Sequence, residues 1–305
     1  MPAAARRERT PTTMGTTAEK IARTIALQAK SPGIDLASYR TARQLLRDAR
    51  LEGDEIKKLI SEGYDPSHAV YIYAQNLTSV LAEQLSTTKE ARQYAKVVGD
   101  AQDIYMPSYP PMSPLTTSYF NMWAFFDVLF GQSHETIGTC LLRIAEVSGL
   151  PIGLRDVLAA MQRSRMGIYA HCGSEGRFVR LRELGSQRTG LCLVPTGYQG
   201  TEGEVWFVRV LPAVDTRFEY QVVFTTPYIV KNAGEHEFNA YLDRERCRLG
   251  SKILPRKMDV TTFIMKHGPT ANHWNEYIFC AYVGHQHDAV FLTGIPDIKE
   301  SLPHA

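Results

Sequence analysis

Between Met166 and Val230 short apolar runs recur with turn residues between them: GIYAHCG, RFVRLREL, RTGLCLVPTGY, GEVWFVRVLP and YQVVFTTPYIV. The separators are backbone breakers: Gly173 to Gly176, Gly185-Ser186, Gly197 to Gly203 and Pro212 to Thr216. Five such runs at close spacing predict five strands in a small antiparallel sheet or barrel. In EVWFVRVL, Val205, Phe207 and Val210 mix with Trp206, Val208 and Leu211. An apolar run on both parities suits a strand buried on both faces.

The flanking stretches repeat apolar residues at helical spacing. Ile21, Ile25 and Leu27 predict a helix over 18–29 behind Thr17, and Leu36, Tyr39, Leu45, Leu46 and Ala49 form the stripe of a second over 34–51. A short helix is expected over 52–62. Asp65-Pro66 then opens a helix toward Leu85, with Asp as cap and Pro at the first helical position. Another is expected over 88–98. YMPSYPPMSP, residues 105–114, admits neither helix nor central strand and reads as a linker.

SYFNMWAFFDVLFG, residues 118–131, is apolar all round and reads as a core helix. Ser133 is placed to cap a helix to Val147, and Pro151 to open another. Beyond the strands, helices are expected over 235–248, 258–266 and 271–282, with AVFLTG (289–294) as a strand.

The fold class is therefore α+β: a helical N-terminal half, a small five-stranded antiparallel sheet or barrel, and a short mixed C-terminal region. The boundaries expected are a disordered tail at 1–16, a helical domain at 17–164, a barrel-like domain at 165–231 and a mixed region at 232–305.

Charge adds little. Across 305 residues, 34 basic side chains face 32 acidic ones, a net +2. That balance exerts no global pull on nucleic acid or an anionic membrane. The five cysteines are scattered without a CxxC pair. They read as free thiols of a cytoplasmic protein rather than a disulfide framework or zinc knuckle. The basic start, MPAAARRERTPTTMGTT, has no apolar core and does not read as a secretory signal; Met14 offers a second start. No apolar run approaches the ~20 residues of a membrane helix.

Candidate chemistry is sparse. His273, Glu276, His285 and His287 are the residue types that bind zinc, manganese or iron. His285 and His287 share a face if extended, and His273 and Glu276 share one on a helix. HExxH is absent, and HQHD lacks the remaining spacing of an HxHxDH hydrolase motif. PDIK (296–299) places its Asp and Lys in one turn, without the separate acidic strand that a Mg²⁺ nuclease needs. His171 and Cys172 are adjacent, so in a strand they point to opposite faces and do not form a pair. Neither GxxxxGK[ST] nor a strand-linked GxGxxG is present.

Candidates for partner contact are Arg180, Arg182 and Trp206 in the strand region and Arg244, Arg248, Lys252, Arg256 and Lys257 after it. Aromatic rings beside basic groups can hold a single strand or a protein surface. The expectation is a non-catalytic binding protein without a cofactor, meeting a protein partner in preference to nucleic acid. The alternative is a metal-dependent hydrolase or nuclease built on the C-terminal His/Glu/Asp cluster.

Overall fold

The computed structural model describes residues 17–20, 53–86, 91–107, 112–131, 133–147, 149–250 and 258–303. The expected helix over 34–51 lies outside them, as does most of that over 18–29; residues 17–20 are helical, and so are 53–61. Helix α1 (Pro66–Ser86) starts as its sequence demands. The Asp65 carboxylate accepts the Ser67 N–H at 2.9 Å, satisfying a donor the first turn leaves open.

Helix α2 (Arg92–Tyr105) runs seven residues past its expected end. Gly99 does not stop it, because Tyr94, Ala101 and Tyr105 carry one buried stripe through the glycine. Helix α3 (Thr117–Phe126) is the apolar core helix, capped by the Thr116 hydroxyl. It ends five residues short of expectation, where Asp127 turns its carboxylate to the sheet. Ser133 does not cap α4 (Ile137–Val147). Phe130 and Glu135 form a β-bridge, so the chain reaches the helix later, and the Thr136 hydroxyl accepts the Thr139 N–H at 3.2 Å. Helix α5 (Ile152–Arg163) follows Pro151.

Among the described residues the sheet has eight strands: β1 (Met166–Glu175), β2 (Phe178–Glu183), β3 (Thr189–Leu193), β4 (Val205–Leu211), β5 (Gln221–Val223), β6 (Tyr228–Lys231), β7 (Tyr282–His285) and β8 (Val290–Thr293). Strands β1-β2-β3-β5-β4 close into a barrel through β1–β4 pairing, and β6-β8-β7 continue the sheet from β4. The pairings are not all antiparallel: β3–β5 and β6–β8 are parallel.

The run YQVVFTTPYIV gives two strands rather than one. Val223 pairs with Val210 but Tyr228 with Phe207, so two extra residues are accommodated between them. The Thr225 hydroxyl takes the Arg209 N–H at 3.0 Å in place of a ladder carbonyl. Such a bulge bends the strand out of the barrel toward β8.

Period-2 alternation then builds two cores. Trp206 and Val208 point into the barrel with Val179, Leu181, Cys192, Val223 and Ile229. Val205, Phe207 and Leu211 point out, into a larger core shared with the helices. Helices α6 (Glu235–Leu249), α7 (Val260–His267) and α8 (His273–Ala281) complete that layer. Phe207 packs on Trp274 of α8 with ring centroids 4.7 Å apart. Among the described residues no helix is long and apolar enough to cross a membrane.

Candidate binding face

The residues singled out in sequence are spread over several surfaces. Trp206 is inside the barrel at 0% exposure, its indole N–H donating to Glu204 at 3.0 Å. Two-sided burial of β4 places it there, out of reach of a surface partner. Arg182 forms a two-pronged pair with Glu235 at 2.9 and 2.8 Å. This hydrogen bonding raises the guanidinium's pKa and holds the Glu235 carboxyl below the ordinary range. Arg180 pairs with Glu175. Arg244 holds Asp297 at 2.6 and 2.7 Å, and Arg248 pairs with Glu245. Lys252, Arg256 and Lys257 lie outside the described residues.

The histidines and Glu276 separate in the same way. Tyr241 lies 3.0 Å from His273 Nε2, and burial lowers the imidazole's pKa to about 4. Glu276 is exposed at the α8 surface and accepts from Tyr105 at 3.4 Å. His285 ends β7, and both it and His287 are exposed. Among the described residues, no group of three or more His, Cys, Asp or Glu side chains is arranged to hold a metal ion. His171 spans its own turn, taking the Gly173 N–H on Nδ1 at 3.2 Å and reaching the Gln199 carbonyl from Nε2 at 2.8 Å. Burial pushes the Cys140 and Cys192 thiols up to about 12, so neither supplies a thiolate near neutrality.

A better-defined feature sits where the start of α1 meets one end of the barrel. Asp65, already the cap of α1, is clamped from the barrel side as well. Arg177 reaches its carboxylate at 2.9 Å, and the Tyr220 hydroxyl donates to it at 2.9 and 2.8 Å. Burial, aided by that hydrogen bond, pushes the Tyr220 phenol up to about 12. The guanidinium lies over the Phe178 ring at 5.0 Å. Phe178 packs on Tyr220 with centroids 4.9 Å apart, and Phe218 meets Tyr220 at 5.6 Å.

Beside this stack a cleft of about 410 Å³ opens between Tyr64, His68, Arg177 and Pro195. His68 closes its floor against Phe224, and burial takes its pKa down to about 4 despite the neighbouring Asp65 carboxylate. The rim thus joins rigid rings, an arginine 60% exposed and a preset hydrogen-bonded carboxylate.

Phe218 and Tyr220 escaped the sequence reading, although DTRFEYQ carries a signal. Two aromatics two apart share one face if the segment is extended. No protein-family model matches the chain, and no match to it was found among curated proteins or solved structures.

Proposed function

We propose that the protein is a non-catalytic binding protein that recognises a protein partner at the barrel rim. The observation that carries the reading is Arg177 laid over Phe178 and Tyr220 beside the cleft. Preset aromatic rings and an arginine are the groups that dominate protein contacts, since they contribute large contact area with few rotors left to freeze. Nucleic acid is the poorer fit. Arg177, Arg180 and Arg217 each face a carboxylate, of Asp65, Glu175 and Asp215. A phosphate chain needs free cations to release its counterions.

The test is affinity capture from the native host with the wild-type chain and with an Arg177→Ala, Phe218→Ser double variant. The reading expects one partner retained by the wild type and lost by the folded variant. Reconstitution with that purified partner should show the same difference, at least about tenfold in Kd. Equal binding by the two chains places the contact elsewhere. Tight, salt-sensitive binding of a labelled RNA or DNA strand would replace a protein partner with nucleic acid.

A further inference from the structure

A second cavity, of about 460 Å³, lies among the end of α5, the start of α4 and helix α7, with no lining residue in common with the barrel-rim cleft. Its chemistry comes from hydrogen-bonding groups left over after internal pairing. Lys266 is 3% exposed and donates to Asp127 Oδ1 at 3.1 Å and to the Ser164 carbonyl at 2.6 Å. An ammonium has three N–H groups, so one has no partner among the described residues. His267 Nδ1 lies 2.6 Å from the Asp127 carbonyl oxygen. A carbonyl only accepts, so Nδ1 carries the proton. Burial lowers the pKa of this imidazole and keeps it neutral, which leaves Nε2 as an acceptor. The Gln162 carbonyl accepts from Thr136 at 2.9 Å, leaving its amide N–H groups to donate. Arg163 makes no ion pair among the described residues.

The charges point the same way. Lys266, which lines the cavity, shares the single carboxylate of Asp127 with Arg209. Arg165 is matched by Glu183. The Asp259 carboxylate on the cavity rim caps α7, accepting the Thr262 N–H at 2.9 Å on one oxygen, and its charge offsets that of Arg163, which leaves the one positive charge in excess on the Arg209–Lys266–Asp127 group. Positive charge and unpaired donors therefore exceed the acceptors facing this space. Lys266 itself is shut away from water, which strengthens its attraction for an anion. The volume falls in the range of small-molecule sites.

We propose that this cavity binds a small oxyanion carrying an O–H, donated to by Lys266, Gln162 and Arg163 and accepted from by His267. Two sources supply that chemistry, inorganic phosphate, which keeps an O–H near neutral pH, and a hydroxy acid. The inference stands apart from the barrel-rim reading and uses none of its residues.

The experiment is isothermal titration of the full chain at fixed ionic strength in chloride, with inorganic phosphate, lactate and propionate as probes. Saturable binding of phosphate or lactate, with propionate at least about tenfold weaker, is the expected result. Phosphate alone would identify a phosphate site; lactate alone, a hydroxy-acid site. Gln162→Glu and Arg163→Glu each place a carboxylate at the cavity and should weaken binding by about tenfold or more, with thermal unfolding in chloride little changed. No saturable binding of any probe at millimolar concentration would overturn the proposal. So would binding unchanged in both folded variants.

Discussion

Arg209 on β4 and Asp127 at the end of α3 close on each other in the middle of the protein, their side chains 1% and 3% exposed. Lys266 occupies the other oxygen of the same carboxylate at 3.1 Å. One acid thus holds two cations taken out of water. Asp127→Asn would leave both without a counter-charge and should lower unfolding stability by about 3–5 kcal/mol. Asp127→Leu with Arg209→Met and Lys266→Met should recover most of that, because no buried charge is then unmatched. Urea unfolding measures both; a wild-type midpoint for Asp127→Asn would refute the role given to this carboxylate.

Acid should weaken the fold through buried imidazoles, His68 and His273 among them. His68 and His273 are pressed by burial to about 4, below the roughly 6.5 of an unfolded chain. Between those values the unfolded state binds protons that the folded state refuses. Stability is therefore undiminished above about pH 6.5 and falls as pH drops toward 4, by on the order of 2–3 kcal/mol per histidine. Urea midpoints across this range, compared with a His68→Gln, His273→Gln variant, should show a shallower acid slope in the variant.

Gly294, directly after β8, has φ 75°, and a methyl there would run into the Ser301 carbonyl. Gly149 has φ 66° with open space around it. Gly149→Ala should cost about 1 kcal/mol, the left-handed strain alone. Gly294→Ala adds a backbone collision and should cost more, on the order of 1–3 kcal/mol, with faster proteolysis of the C-terminal turn. Equal losses in the two variants would count against the packing of that turn.

Arg182 and Glu235 form a well-aligned pair, but their side chains are 28% and 39% exposed. Water and salt screen such a pair, so Glu235→Gln should change stability by no more than about 0.5 kcal/mol. A larger loss, measured by urea unfolding and persisting at high salt, would mean that the pair anchors α6 to the barrel.

Local chemistry was legible in the chain by itself. Asp65-Pro66 announced the start of α1, because capping involves neighbours in sequence. The two-sided run VWFVRV announced a strand buried on both faces, because strand parity is a property of the run. The apolar stretch around Trp123 announced a core helix for the same reason. Folding in space decided the rest. The parallel β6–β8 pairing joins Val230 to Leu292, and Arg209 meets Asp127 across 82 positions. Strand β7 goes unannounced because YVGH gains its place from β8 beside it. Tyr220 acquires its role by reaching Asp65, 155 positions away. Spacing along a chain records which side chains share a face. Which faces meet, and which charges are shut in together, follows from burial of all of them at once.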